Sequence, residues 1–324
     1  MSKTHDLIPC RTRDGLELAV RRIPSTTGKA RGAVVMQHGL GSNGLAFDYP
    51  GHSFAQALAR AGFDCYICEL RGAGGSVHPG EPFGIDDYLD SDLPAIIDAV
   101  RGDSGRERIS WVGHSMGGIL MMMYGIDHPD APIERFVAIG SSLDYRPGRS
   151  VFRELRKARV LAGNWLKFYP FDVTGRVNAL VAGRGPVLPP EGMNFWRSNM
   201  DRSVMRGVLA RGFTAIPIRL FDDLNTTFDD AGFSRQAGRI TYLPRAAQFK
   251  IPTCLMMGTR DVQALEIAVE ATARRLSGVS GLSLVGLGKK HGQADEYGHI
   301  DLLVGRRAPT EVWPAVARFL QGPA

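Results

Sequence analysis

Cysteine is scarce in this chain, with four in 324 residues, too few for the disulfide framework that holds small secreted proteins together. Cys65 and Cys68 stand three apart in CYICEL, where the alternation of a strand would send them to opposite faces. They read as packing residues, not as a redox or metal pair. Long apolar runs are missing too: the longest, residues 119–126, falls far short of the roughly 20 residues that span a bilayer. The opening MSKTHDLIPCRTRDG lacks the apolar core of a signal peptide. A cytoplasmic location without a transmembrane segment is therefore the expectation. H-E-x-x-H and a P-loop are absent, so no metal or organic cofactor is expected.

What is present is the make-up of a soluble globular protein, 44% hydrophobic and 22% charged, with one large core or a core plus an inserted subdomain. The net charge of +6 is unevenly placed: residues 143–250 hold 18 Lys/Arg against 9 Asp/Glu, and the remainder of the chain is net −3. The arginines of that middle third come singly, as in SVFRELRKARV, without repeated stacking aromatics, so a nucleic-acid partner is not expected. A solvated face fits better, as does attraction to an anionic substrate or transient contact with a membrane surface. The molecule is expected to be a monomer or a homodimer.

Asp14-Gly15, between CRTR and LELAVRRI, signals a hairpin of two antiparallel strands. Strand-like and helix-like runs then alternate. GAVVMQHG precedes a helix near residues 53–61 and a second strand, FDCYICEL; LPAIIDAV reads as helix, RISWVG as strand, GILMMMYG as helix and RFVAIG as strand. Runs buried on both faces and separated by helices imply a mostly parallel sheet with helices on both faces, an α/β architecture. The alternation stops after residue 142 and resumes with IPTCLMMG at 251. A gap of that length is a structure of its own. Residues 1–142 and 251–324 thus form the expected core, and residues 143–250 a mainly helical cap, rich in aromatics such as Phe152, Trp165, Phe171, Phe195, Trp196 and Phe221. ALEIAVEATARRLSG reads as an amphipathic helix closed by glycine, LSLVGLG as a strand and TEVWPAVARFLQG as the last helix.

The chemistry centres on SWVGHSMGG, residues 110–118. A strand followed at once by G-x-S-x-G and then a helix holds a serine in a strained turn with its hydroxyl projecting from the sheet. Side chains at Gly113 and Gly117 would crowd the neighbouring strand and helix, and the helix N-terminus offers free N–H groups where a carbonyl oxygen becomes negative. Ser115 is the candidate nucleophile. Its base should lie after the last strand, where His299 in EYGHIDLL competes with His291 in GKKHGQ. His299 is favoured because its neighbours are small or apolar. The carboxylate that orients the base is Asp261 in LMMGTRD, with Asp144 after RFVAIG as the alternative. The N–H groups of Met116 and Leu40, the latter in the glycine-flanked loop His38-Gly39-Leu40-Gly41, are the candidate oxyanion donors. His38, Gly39, His114, Met193, Phe195 and Trp196 are candidate substrate-binding residues.

HGLGSN, ELRGAGGS, GHSMGG, GTRD and YGHIDLL, in that order, resemble the oxyanion, strand-end, elbow, acid and histidine loops of the α/β-hydrolase superfamily. The resemblance covers nearly all of the chain outside the insert. The ending YGHIDLLVGRRAPTEVWPAVARFL is also similar to lysosomal-acid-lipase-like and polyhydroxyalkanoate-synthase-like members, the latter usually with cysteine where Ser115 stands. The resemblance implies a Ser-His-Asp hydrolase of the carboxylesterase or lipase type, acting on a small-molecule ester with an apolar acyl or alcohol part. An acyltransferase or thioesterase using the same residues is the alternative.

Overall fold

The computed structural model describes residues 6–162 and 167–322; Trp165 lies outside them. Eight strands form one sheet: β1 (Asp6–Ile8), β2 (Val20–Ile23), β3 (Gly32–Gln37), β4 (Phe63–Cys68), β5 (Ile109–His114), β6 (Ile133–Ile139), β7 (Thr253–Gly258) and β8 (Ser283–Leu287). Their order across the sheet is β1-β2-β4-β3-β5-β6-β7-β8. Every pairing from β4 to β8 is parallel, and β2 runs antiparallel to both its neighbours. The Asp14-Gly15 turn closes the expected hairpin, with the Gly15 N–H donating to the Thr12 carbonyl at 2.9 Å.

Parallel strands need crossover helices, and these cover both faces of the sheet. Helix α1 (Phe54–Arg60) lies on one face with the last helix, where Phe54 stacks on Trp313 at 5.6 Å. Helices α2 (Leu93–Ser104) and α3 (Met116–Asp127) pack on the other. Alternation along β4 shows how one strand serves both cores: Cys65 and Ile67 join one buried cluster, Tyr66 and Cys68 the other. All four cysteines are free and buried. Met121, Met122 and Met123 of α3 are wholly buried, because this helix is covered on nearly every side.

Between β6 and β7 the chain leaves the sheet and forms helices α4 (Val151–Ala162), α5 (Phe171–Val181), α6 (Arg202–Arg211) and α7 (Ile218–Asn225), with a short helix at Pro189–Asn194. Helices α5 and α6 approach closely because Gly175 has no side chain; a Cβ there would sit 2.5 Å from the Leu209 carbonyl oxygen. The segment is tied to the loop after β3, where the Thr214 N–H donates to the Gly41 carbonyl at 2.9 Å.

Two helix boundaries differ from expectation. Helix α8 (Glu266–Arg275) is not closed by glycine, because buried Leu276 turns into the core before Gly278 is reached. The last helical stretch is broken into a turn at Ala308–Glu311 and α9 (Trp313–Gln321), with Pro314 occupying the first turn of the new helix.

Candidate active site

Strand β5 ends at His114 and α3 begins at Met116, leaving Ser115 to make the turn alone at φ 52°, ψ −120°. That conformation costs a non-glycine residue on the order of 1–3 kcal/mol, so the surroundings must hold it. The Ser115 N–H donates to the Ile139 carbonyl at 2.9 Å, and the Ser115 carbonyl accepts from the Ser141 hydroxyl at 2.8 Å and from the Gly118 N–H at 3.0 Å. Glycine is a steric condition on both sides. A Cβ on Gly113 would lie 2.5 Å from the Gly118 nitrogen, and one on Gly117 would lie 2.4 Å from the Gln37 carbonyl oxygen at the end of β3.

The loop after β7 carries Asp261, whose Oδ1 accepts the N–H groups of Gln263 at 2.8 Å and Ala264 at 2.9 Å. Its other oxygen lies 2.7 Å from the Nδ1 of His299, which follows β8. Both side chains are buried. With Nδ1–H donating to the carboxylate, Nε2 carries the ring's free lone pair. A second carboxylate, Asp301, clamps this loop: its Oδ2 accepts the Gly298 N–H at 2.8 Å and its Oδ1 the Trp196 N–H at 3.2 Å. Burial pushes the Asp301 carboxyl up to about 7. His291 stands apart, with Nε2 2.7 Å from Glu266, and Asp144 pairs with Arg146 at 2.7 Å. Neither rival adjoins Ser115.

Ser115 and His299 line one cavity of about 580 Å3, together with Gly39, Leu40, His114 and Met193. Met116 opens α3, so its N–H has no acceptor within the helix, and the Leu40 N–H makes no backbone hydrogen bond among the described residues. The loop carrying Leu40 passes close to the turn: a Cβ on Gly39 would meet the Ser115 Cβ at 2.9 Å.

A strand order with a single antiparallel reversal, and a serine turn after the fifth strand, define an architecture that comparisons with known proteins recover. Residues 32–189 match the family model described as the alpha/beta hydrolase fold. Lipase member K of Mus musculus is 25% identical over 98% of this chain and 87% of its own length. The fold of this chain is that of the α/β hydrolases. Among solved structures, a thermophilic esterase from Thermogutta terrifontis superposes with a TM-score of 0.65 at 16% identity, covering 98% of both chains. The Paleococcus ferrophilus monoacylglycerol lipase does so with a TM-score of 0.63 at 18% identity, over 94% of this chain and 98% of its own.

The remaining candidates of this α/β-hydrolase fold divide by their neighbours. His114 reaches the cavity, its Nε2 3.1 Å from the His299 carbonyl and its ring 4.6 Å from the His299 ring. Burial, reinforced by His299, holds it well below the usual histidine range, and so neutral. His38 does not line the cavity: its Nδ1 donates to the Gly39 carbonyl at 2.9 Å and its Nε2 accepts the Leu70 N–H at 3.2 Å, so both nitrogens brace the loop. Phe195 turns into the core and Trp196 lies beneath the Arg260 guanidinium at 4.8 Å, so of the three neighbouring candidates only Met193 faces the cavity. Sequence reasoning missed Gln263, whose Nε2 donates to the Met193 carbonyl at 3.0 Å and the Asn194 Oδ1 at 3.1 Å, joining the Asp261 loop to the insert. It also missed Ser141 and Asp301. Both stand two residues beyond a recognised feature, Ser141 after the end of β6 and Asp301 after His299, but their partners are set by tertiary approach.

Proposed function

We propose that this protein of α/β-hydrolase fold cleaves carboxylic esters through an acyl-enzyme on Ser115. The observation that supports this reading best is the convergence, on one apolar cavity, of a strained serine turn and a buried histidine hydrogen-bonded to a carboxylate. In the first half-reaction the Ser115 hydroxyl attacks the ester carbonyl carbon while His299 Nε2 takes its proton. The carbonyl oxygen becomes an oxyanion facing the N–H groups of Leu40 and Met116. Collapse breaks the bond to the alcohol oxygen, which leaves with the proton from His299. Water then attacks the acyl carbon, giving a proton to His299; the carboxylic acid departs and the proton returns to Ser115. Asp261 holds the imidazole in the tautomer this cycle needs.

Residues 143–250 act as a cap over the cavity, and the lipase names of the relatives support an apolar ester as substrate. On the cap's outer face, Val173, Val177 and Leu180 of α5 are exposed at helical spacing, a surface suited to contact with an aggregated or membrane-borne ester. Ser115→Ala should lower kcat/KM for a p-nitrophenyl ester by at least about 10³-fold without changing the melting transition by more than a few degrees. Retained turnover would reject the nucleophile.

A further inference from the structure

Two cavities meet at Ser115, and they differ in what else they touch. The large one, about 580 Å3, includes His299. The small one, about 30 Å3, touches Ser115, Leu40 and Met116 and does not include His299. Leu40, Phe152 and Phe221, besides Ser115, line both.

The chemistry assigns the two halves of an ester to these spaces. In the tetrahedral intermediate the carbon carries the Ser115 oxygen, the oxyanion, the alcohol oxygen and the acyl substituent. The oxyanion lies at the Leu40 and Met116 N–H groups. The alcohol oxygen must come within hydrogen-bond reach of His299 Nε2, because that atom returns the proton on which departure depends. The alcohol therefore extends into the cavity that His299 lines. The acyl substituent takes the remaining direction, on the oxyanion side and away from His299, where the small pocket lies. One water-sized group needs about 10–15 Å3 measured in this way, so the small pocket admits two or three. Ile119 of α3 and Tyr145, at the start of the insert, wall it, and Tyr145 is itself buttressed edge-on by Phe233 at 6.0 Å. Helix α7 closes it with Phe221 and Leu224.

Resting on the reading of Ser115 as nucleophile, we propose that this hydrolase is selective for short acyl groups, acetyl to butyryl, on large apolar alcohols. Phe221 and Leu224 set the limit on chain length. The test is a matched series of 1-naphthyl esters, acetate, propionate, butyrate and octanoate, in which the alcohol is constant. The wild-type enzyme should show kcat/KM at least about 10-fold higher for acetate, propionate and butyrate than for octanoate. Leu224→Ala and, independently, Phe221→Ala should each raise the octanoate-to-acetate ratio several-fold. Tyr169→Ala, at the large cavity, should leave that ratio as it was. Octanoate turned over as well as acetate by the wild type would overturn the acyl-pocket assignment and leave ester hydrolysis standing. Turnover of none of the esters, with no fluorophosphonate adduct on Ser115, would instead reject the nucleophile and this proposal with it.

Discussion

At Ser115 the backbone is held in a conformation that serine disfavours, and two neighbouring glycines make room for it. Replacing Gly117 by Ala drives a Cβ to 2.4 Å from a main-chain oxygen that belongs to the sheet and cannot swing aside. Gly117→Ala should therefore destabilise the fold by about 1–3 kcal/mol in urea unfolding and depress turnover together, since relief of the clash displaces α3 and its N–H groups. A variant of wild-type stability and activity would contradict this packing account. The two histidines after β8 separate just as sharply. His299 is buried against Asp261, while His291 makes a half-exposed pair with Glu266. His299→Ala should abolish ester turnover and His291→Ala should keep most of it; equal, small losses would refute the assignment of the base.

The loop that presents His299 is fixed by a buried carboxylate that accepts two N–H groups and has no cation paired with it among the described residues, which is why burial dominates its titration. In the unfolded chain an aspartate titrates near about 4; Asp301 in the fold titrates at about 7. Between these values the folded state holds a proton that the unfolded state has lost, so the contribution of Asp301 to stability is complete below about pH 4 and is lost as pH rises through about 7. Asp301→Asn removes this dependence. The stability of the wild type minus that of Asp301→Asn should fall, by on the order of a few kcal/mol, between pH 4 and pH 7.5 in matched denaturant titrations. A difference that stays constant over that interval would show that the carboxyl titrates normally. Taking the difference also cancels His38 and His114, whose burial lowers their titration and makes the fold lose stability as pH falls below about 6.5.

Across the whole molecule, the sheet was legible, and Ser115, Asp261 and His299 could be named as candidates, because strand periodicity and glycine-bounded turns are local in sequence. Cys65 and Cys68 could be sent to opposite faces for the same reason. The residues lining the cavity were legible only in part: Gly39, Leu40 and His114 adjoin the sequence motifs, whereas most of the insert's share carries no such signal. Met193, Phe195 and Trp196 are near neighbours of similar character, yet the end of the short helix at Asn194 sends one to the cavity, one to the core and one beneath Arg260. His38 follows the third strand just as an oxyanion-loop residue would, and only the approach of Leu70 from the next strand end shows that its ring is already engaged. The small pocket is more remote still, since it joins α3 and the loop after β6 to α7, and Ile119 and Phe221 stand 102 residues apart in sequence. Such contacts follow from how the insert sits on the sheet, and no pattern within a window of sequence encodes them.

On the proposed mechanism, the turn at the end of β5 and the loops carrying Asp261 and His299 together make the Ser115 hydroxyl nucleophilic. The most direct measurement is the rate of fluorophosphonate modification, with the adduct located by peptide mass spectrometry, in the wild type and in Asp261→Asn. A single adduct on Ser115 is expected, forming at least about 100-fold more slowly in Asp261→Asn, whose carboxamide cannot hold His299 in the required tautomer. An adduct elsewhere, or equal rates in the two proteins, would contradict the account.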